Sequence, residues 1–362
     1  MRTEPKPTSP CGPNRILILG SWFALTALCA CATEPGDVAK SDAGKVAPDS
    51  DVEAPDVDPY FHESTSIRTD HGPRTITRNV LEDSQGRVWL ATWSGLMRVD
   101  GTAFLNVTNQ SNLRRHRAFS LMEDRDQNVW VGTIDAGVYR YDGTTFTNLT
   151  TKDGLVNDTT LSMFQDRDGD LWFGGLGATS FDGSTFTTYD ENDGFTNSDV
   201  NSISQAPDGD LWFGTRGRLF RFDGMTFVDF TKEQGLEIES YIPALIDRRG
   251  HLWFGGSEGL YRYDGEIVHH VFEPTCFSLF EDSLGRIWFS GGSLLGQDLK
   301  PDTTVLNRID PSNGMDHIME TRHQIELRVG ALFGLTEARD GSIWFGAGGG
   351  VGRIVGDTVL YF

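Results

Sequence analysis

The sequence predicts an all-β fold, a seven-bladed β-propeller of four-stranded antiparallel blades. Three observations carry that expectation. A ten-residue motif returns seven times at nearly constant spacing. Short apolar runs separated by turn signals fill the intervals between its copies. The composition, with 42 glycines and 23 phenylalanines in 362 residues, suits tight turns and aromatic cores, and no apolar run is long enough for a membrane-spanning helix.

Residues 1–30 form a targeting segment. Arg2, Lys6 and Arg15 make a basic start, "ILILGSWFALTAL" (16–28) is an apolar stretch too short to span as a stop-transfer helix, and "LCAC" (28–31) closes it. This ending resembles the lipobox of bacterial lipoproteins, with Leu28 and Ala30 before Cys31 as the acylated residue. Cys29 stands where such boxes carry Ala, Ser or Thr, so cleavage before Cys29, or an ordinary secretory cut near Ala30 or Ala32, stays open. Resemblance to Gram-negative lipoproteins implies sorting to the outer membrane, because Ala32 and not Asp follows Cys31. Of the four cysteines, Cys276 alone remains in the mature domain, which therefore has no internal disulfide and relies on its core. Residues 31–58 are rich in Asp, Ala, Pro and Val, lack aromatics, and read as a disordered acidic tether with a reach of about 30 Å.

Residues 59–362 hold the repeats. "DSQGRVWLAT" (83–92), "DRDQNVWVGT" (124–133), "DRDGDLWFGG" (166–175), "APDGDLWFGT" (206–215), "DRRGHLWFGG" (247–256), "DSLGRIWFSG" (282–291) and "ARDGSIWFGA" (338–347) centre on Trp89, Trp130, Trp172, Trp212, Trp253, Trp288 and Trp344. Their spacings are 41, 42, 40, 41, 35 and 56. Each unit reads as strands A to D. In the third, "TLSMFQD" alternates as A, "DLWFGG" is B, "ATSFDG" is C with an Asp-Gly hairpin signal, and "TFTTYD" is D. Strand B is apolar on both sides because propeller blades stack face to face. Trp172 is thus expected in one inter-blade space, with Leu171 and Phe173 in the other. The Asp heading five motifs is expected to hold the A–B turn through backbone N–H bonds. An EF-hand calcium loop is excluded, since it needs Gly at position 6 and Glu at 12, and Ala206 and Ala338 replace the Asp in two copies.

Seven units fit one closed ring; a six-bladed ring with one degenerate unit outside it is the alternative. Both "YFHEST" (60–65) and "TVLYF" (358–362) look like strand D, one of them completing the last blade beside strands from the other end of the chain. Regularity breaks between Trp288 and Trp344, where residues 311–330 read as an insertion.

With those residues quoted, the units are similar to two-component regulator propeller repeats, whose pattern "DRDQNVWVGTIDAGVYRYDGTTF" (124–146) follows almost throughout. The resemblance covers residues 60–362 and implies an extracytoplasmic recognition module, in a family whose propellers serve as periplasmic sensors of hybrid histidine kinases. The chain ends at Phe362 within a last strand, so the kinase activity does not carry over. The implied partner is a protein or a glycan, with no cofactor.

Catalysis is disfavoured. Paired histidines at 269–270 fall on an outer strand, and Asp316, His317, Glu320 and His323 do not converge on one ion at helical spacing. No nucleophile elbow or phosphate loop is present. A carbohydrate-active or lyase-type enzyme acting at the loop face is the rival class. The net charge of −21 argues against a nucleic-acid backbone or an anionic membrane surface as partner, so membrane contact is expected through the lipid alone.

Recognition is expected on the face of the B–C and D–A loops, which vary while the turns of the other face repeat. The B–C loops offer Trp93, Asp135, Arg216 and Glu258. The D–A loops offer Arg114, Arg115, His116, Arg117, Asn157, Asn197, Glu239 and Tyr241. Trp93 breaks the motif and is expected to be partly exposed. The "RRHR" cluster either binds an anion or offsets neighbouring carboxylates.

Overall fold

The structure is a computed structural model and describes residues 58–111, 113–195, 199–273, 275–291 and 303–362. The leader, Cys31, the tether before Asp58, and Asn197 lie outside the described residues. Among the described residues no helix is long and apolar enough to cross a membrane.

Seven antiparallel sheets follow one another along the chain, each using four strands in sequence order. Blade 1 comprises Thr77–Glu82, Val88–Thr92, Gly95–Asp100 and Ala103–Asn106; blade 2, Ala118–Glu123, Val129–Thr133, Val138–Tyr141 and Phe146–Leu149. Blade 3 comprises Ser162–Gln165, Leu171–Gly175, Gly177–Phe181 and Phe186–Tyr189; blade 4, Ser202–Gln205, Leu211–Gly214, Leu219–Phe222 and Phe227–Asp229. Blade 5 is Ala244–Ile246, Leu252–Gly256, Gly259–Tyr263 and Val268–Phe272. Blade 6 is Leu279–Glu281, Ile287–Ser290, Thr304–Ile309 and His323–Leu327, and blade 7 is Leu332–Glu337, Ile343–Ala347, Gly350–Val355 and Thr358–Tyr361. Each first strand, A, touches the first strands of both neighbouring blades, including Leu332–Glu337 against Thr77–Glu82. The circle is therefore closed, with strands A innermost and strands D outermost.

The seven motif tryptophans are all buried, none more than 4% exposed. Trp172 packs into the core shared with blade 4, against Phe213, Phe220 and Phe222. Its neighbours Leu171 and Phe173 join Trp130 of blade 2. Strand B thus feeds two interfaces at once, as its unbroken apolar run requires. Trp344 lies against Val80, Leu90 and Met97 of blade 1, which seals the ring by the same packing used everywhere else. Truncating such an indole to Ala costs about 3–5 kcal/mol.

The motif Asp does two jobs. Asp247 Oδ1 accepts the backbone N–H of Arg249 and of His251, holding the A–B turn. Its Oδ2 accepts the indole N–H of Trp253 at 2.9 Å. The same indole bond joins Asp83 to Trp89, Asp124 to Trp130, Asp166 to Trp172 and Asp282 to Trp288, at 2.7–2.8 Å. Burial alone raises the Asp83 and Asp247 carboxyls, but these bonds outweigh it, and both end below the usual carboxylate range.

The turns are also latched from blade to blade. The second residue of the motif donates its backbone N–H to the carboxylate or amide that ends the next strand A: Ser84 to Glu123, Arg125 to Gln165, Arg167 to Gln205, Arg248 to Glu281, Ser283 to Glu337 and Arg339, which follows Ala338, to Glu82. Between blades 4 and 5 the donor position is Pro207, which has no N–H, and the acceptor position is Ile246. Donor and acceptor are absent together, so nothing polar is stranded.

Ring closure corrects the sequence expectation. Among the described residues no strand crosses from one end of the chain to complete a blade at the other; residues 60–65 form no strand, and Thr358–Tyr361 pairs only within its own unit. Arg68–Thr69 instead adds a short fifth strand outside blade 1. Phe362 stacks on Trp344 and tilts against Phe104, so an aromatic contact bridges blades 7 and 1. Residues 311–330, read as an insertion, include the outer strand His323–Leu327 of blade 6; the extra length before it is a C–D connection of two short 3-10 turns.

Candidate functional site

With strands in the order A-B-C-D and every neighbour antiparallel, the A–B and C–D turns share one end of the ring and the B–C and D–A loops share the other. The turn end repeats the same bonds from blade to blade. The loop end carries the residues that differ, as the sequence pattern predicts.

At that end the chain covers part of its own face. Asp58 donates its backbone N–H to the carbonyl of Arg115, and His62 donates to the carbonyl of Trp93. The buried carboxylate of Asp58 pairs with Nε of Arg117. That guanidinium carbon lies over two aromatic rings, 5.0 Å from the Tyr60 centroid and 5.1 Å from that of Trp93. Trp93 is half-buried and lies 5.9 Å from the His62 ring. Arg115 pairs with Glu63 at 3.1 Å, both side chains exposed, a contact worth little in water. His116 is buried and donates from Nδ1 to the Ile134 carbonyl at 2.7 Å. Of the two readings of the cluster, Arg115 and Arg117 follow the one in which neighbouring carboxylates offset the charge. Arg114 sits apart, beside Tyr139, Phe146 and Asn148 on the flank of blade 2.

The other candidates form three small groups. Arg216 stacks on the Tyr241 ring at 4.9 Å, and the Tyr241 hydroxyl donates to Asp199 at 3.4 Å. Burial and the Asp199 charge push the Tyr241 hydroxyl up. Asp135, exposed and held at a positive φ of 61°, accepts the Thr159 hydroxyl, while Asn157 accepts the Thr159 backbone N–H. Glu239 and Glu258 are exposed; the backbone N–H of Glu239 reaches Ser257, and the Glu258 carbonyl accepts from His270.

A further group escapes the sequence pattern. The inner strands of blades 1, 2 and 7 are bulged at the same level, around Arg78, Phe119 and Phe333. Each of these residues stands five positions before the turn-heading residue of its motif. The Arg78 guanidinium carbon lies 4.2 Å from both phenyl centroids, and its Nε is buried with no hydrogen-bond partner. Burial pushes its pKa down to about 10, with Tyr241 the charge that opposes the shift. The signal available in the sequence is one charged residue, in "TITRNVLED", where other units carry Phe, Leu, Asn or Ile.

The groups weighed for catalysis lie elsewhere. His269 and His270 are on the outermost strand of blade 5, paired with Asp264 and stacked on Tyr261 respectively. His317 and Glu320 form an exposed pair in the C–D connection of blade 6, at the turn end. Among the described residues no group of three or more His, Cys, Asp or Glu could hold a metal ion. Cys276 is buried, and burial raises its thiol far above the usual range.

Four stretches, 72–94, 112–135, 154–177 and 194–217, match the family model described as Two component regulator propeller. Among solved structures, the chain is similar to the extracellular domain of the hybrid two component system BT3049 from B. thetaiotaomicron, with 19% identity and a TM-score of 0.61, covering 78% of this chain and 39% of that one. A virginiamycin B lyase from Staphylococcus aureus, solved with quinupristin, aligns at 16% identity and a TM-score of 0.50 over 71% of this chain and 86% of that one. The WD40 beta propeller domain of Doa1 aligns at 12% identity and 0.55, covering 80% and 94%. At these identities the likeness concerns the fold. The chain spans well under half the length of that extracellular domain. A comparison with curated proteins gave no match.

Proposed function

The chain carries two component regulator propeller repeats, and from that premise we propose that it is an exported, lipid-anchored sensory or adaptor module that binds a protein or glycan ligand across its loop face. One observation carries the reading. The turn face spends its polar groups on repeated latches, whereas the loop face collects unrepeated aromatic and arginine side chains, Trp93, Arg216 and Tyr241 among them, some of them left partly exposed. Aromatic and Arg side chains are the groups that most often anchor a partner. The extracellular setting of the similar two component domain supports export, and the lipobox-like "LCAC" supports acylation at Cys31.

Two experiments test this. Envelope extract and labelled envelope polysaccharide are passed over immobilised protein, wild type and the Trp93→Ala, Arg115→Ala and Arg216→Ala variants, with melting temperature as the folding control. At least a tenfold loss of retained ligand is expected in the combined variant; unchanged retention removes the loop-face reading. For anchoring, Cys31→Ser is expected to shift the protein from the membrane to the soluble fraction, with loss of fatty-acid label.

A further inference from the structure

We infer that the loop-face end of the central channel is a binding site for a small monocarboxylate, held by the guanidinium of Arg78. This rests on the reading of that face as a ligand-binding surface and specifies its chemistry.

A bulge gives up ladder pairing and re-aims a side chain. Here three adjacent inner strands are bulged at one level, and the outcome is that a cation and two rings face one another across the innermost layer. The guanidinium carbon lies 4.2 Å from the Phe119 and the Phe333 ring centroids, so the aromatic contacts leave its N–H groups to be satisfied by something else. That edge finds no carboxylate: Arg78 forms no ion pair among the described residues, and Nε has no acceptor. Arg78 is half-buried and its Nε is cut off from water without an acceptor, and a planar, bidentate acceptor matches the guanidinium fork best.

The same face contains the filled version of this arrangement. Arg117 also lies against two rings, and its Nε is satisfied by the Asp58 carboxylate. Arg78 has the rings without the carboxylate. Asp199, bonded to the Tyr241 hydroxyl, puts a carboxylate near Arg78 and so disfavours a multiply charged anion relative to a monocarboxylate. A surface for the body of the ligand is present too. Phe277 occupies in blade 6 the register of Arg78, Phe119 and Phe333, five positions before Asp282, and is 52% exposed.

The test is calorimetric titration of the purified protein at fixed ionic strength with D-glucuronate, D-glucose and inorganic phosphate, comparing wild type, Arg78→Met, Arg78→Lys and, as a turn-end control, Arg125→Ala. Saturable binding of glucuronate alone is expected, weakened at least tenfold in both Arg78 variants and unchanged in Arg125→Ala. Absence of glucuronate binding, equal affinity in Arg78→Met, or a preference for phosphate overturns the inference. Without ligand, Arg78→Met is expected to melt no lower than wild type, because the thioether stem fills the space between the rings and a desolvated charge is gone. A marked fall in melting temperature would show the guanidinium to be a satisfied structural plug, and the inference falls. Partner capture that persists in Arg78→Met while glucuronate fails to bind removes this inference alone and leaves the sensory reading standing.

Discussion

Removing the carboxylate of Asp247 isolates what the repeat motif contributes to stability. Four donors converge on it: the backbone N–H groups of Arg249 and His251, the His251 ring and the Trp253 indole, at 2.8–3.0 Å. In Asp247→Ala the two turn amides can reach water, and the turn itself persists, as Ala206 and Ala338 demonstrate by keeping their backbone bonds at 2.8–3.0 Å. The indole cannot do the same, because Trp253 is fully buried. An unsatisfied buried donor costs about 1–3 kcal/mol, and the lost turn bonds bring the expected total to about 2–4 kcal/mol. For a domain of this size that lowers the melting temperature by about 3–6 °C. Asp247→Asn keeps one acceptor and turns a donor toward a donor, so about half the loss is expected.

The acid dependence gives a second reading of the same bond. Burial raises the Asp247 carboxyl, but its bonds to Trp253 and His251 prevail and hold it below the usual range. A group depressed in the folded state stabilises above its unfolded pKa, about 3.9, and that stabilisation is lost as pH falls through the folded value. The gap between wild type and Asp247→Ala is therefore expected to be constant from pH 7 to 5 and to shrink progressively below pH 4. Urea unfolding followed by tryptophan fluorescence measures both. A variant within about 0.5 kcal/mol of wild type at pH 7, or a gap that persists undiminished down to pH 2, refutes the assignment.

Three further outcomes follow. Arg339→Ala, which keeps the backbone latch but removes the guanidinium bond from blade 7 to the Asp83 carbonyl of blade 1, should cost the same as Arg125→Ala, which removes the like bond to the Asp166 carbonyl between blades 2 and 3, about 1 kcal/mol each by urea midpoint; a much larger loss at Arg339 would mean that closure is a special joint. Gly214→Ala places a methyl 2.0 Å from the Ile242 carbonyl and 2.3 Å from the Ser202 hydroxyl, and should cost about 2–3 kcal/mol, against about 1 kcal/mol for Gly183→Ala, whose φ is +92° with open space around it. Asp58→Asn leaves Arg117 buried without its anion, so the segment 58–66 should be cut faster in limited proteolysis while the ring core stays resistant.

The fold was legible because a repeat states the same constraint several times. One unbroken apolar strand is ambiguous, but seven tryptophans at a common interval leave few arrangements, and the inter-blade places expected for Leu171, Trp172 and Phe173 are those found. Closure was misread for a physical reason. Residues 60–65 and 358–362 share strand-like composition, and composition does not say whether an edge pairs with a distant segment or is capped by Phe362 on Trp344. The indole bond to the motif Asp went unseen since sequence shows the turn and the strand separately. Arg78 went unseen because its importance arises from two rings that lie 41 and 255 positions away in the chain, and from bulges that no residue type announces. The cluster at 114–117 was visible as charge, but its anion, Asp58, fell at the end of what reads as tether.

The ring's two ends therefore answer different requirements, and electrostatics separates them. The chain carries a net charge of −21, so at long range it repels anions and gives an anionic ligand no steering. Salt confines that repulsion to about 10 Å, and only inside that distance do Arg78 and Arg216 act as local cations. Selection at the mouth must then come from contact geometry, ring faces and a bidentate edge, with long-range attraction contributing nothing. Contact geometry demands a wall that does not yield. The latches at the turn end supply it, because at six of the seven blade junctions one inner strand is tied to the next by its own turn, and a shift of a latched blade at the mouth would have to break bonds at the far end of the ring. The unrepeated residues can be exacting because the repeated ones hold them still.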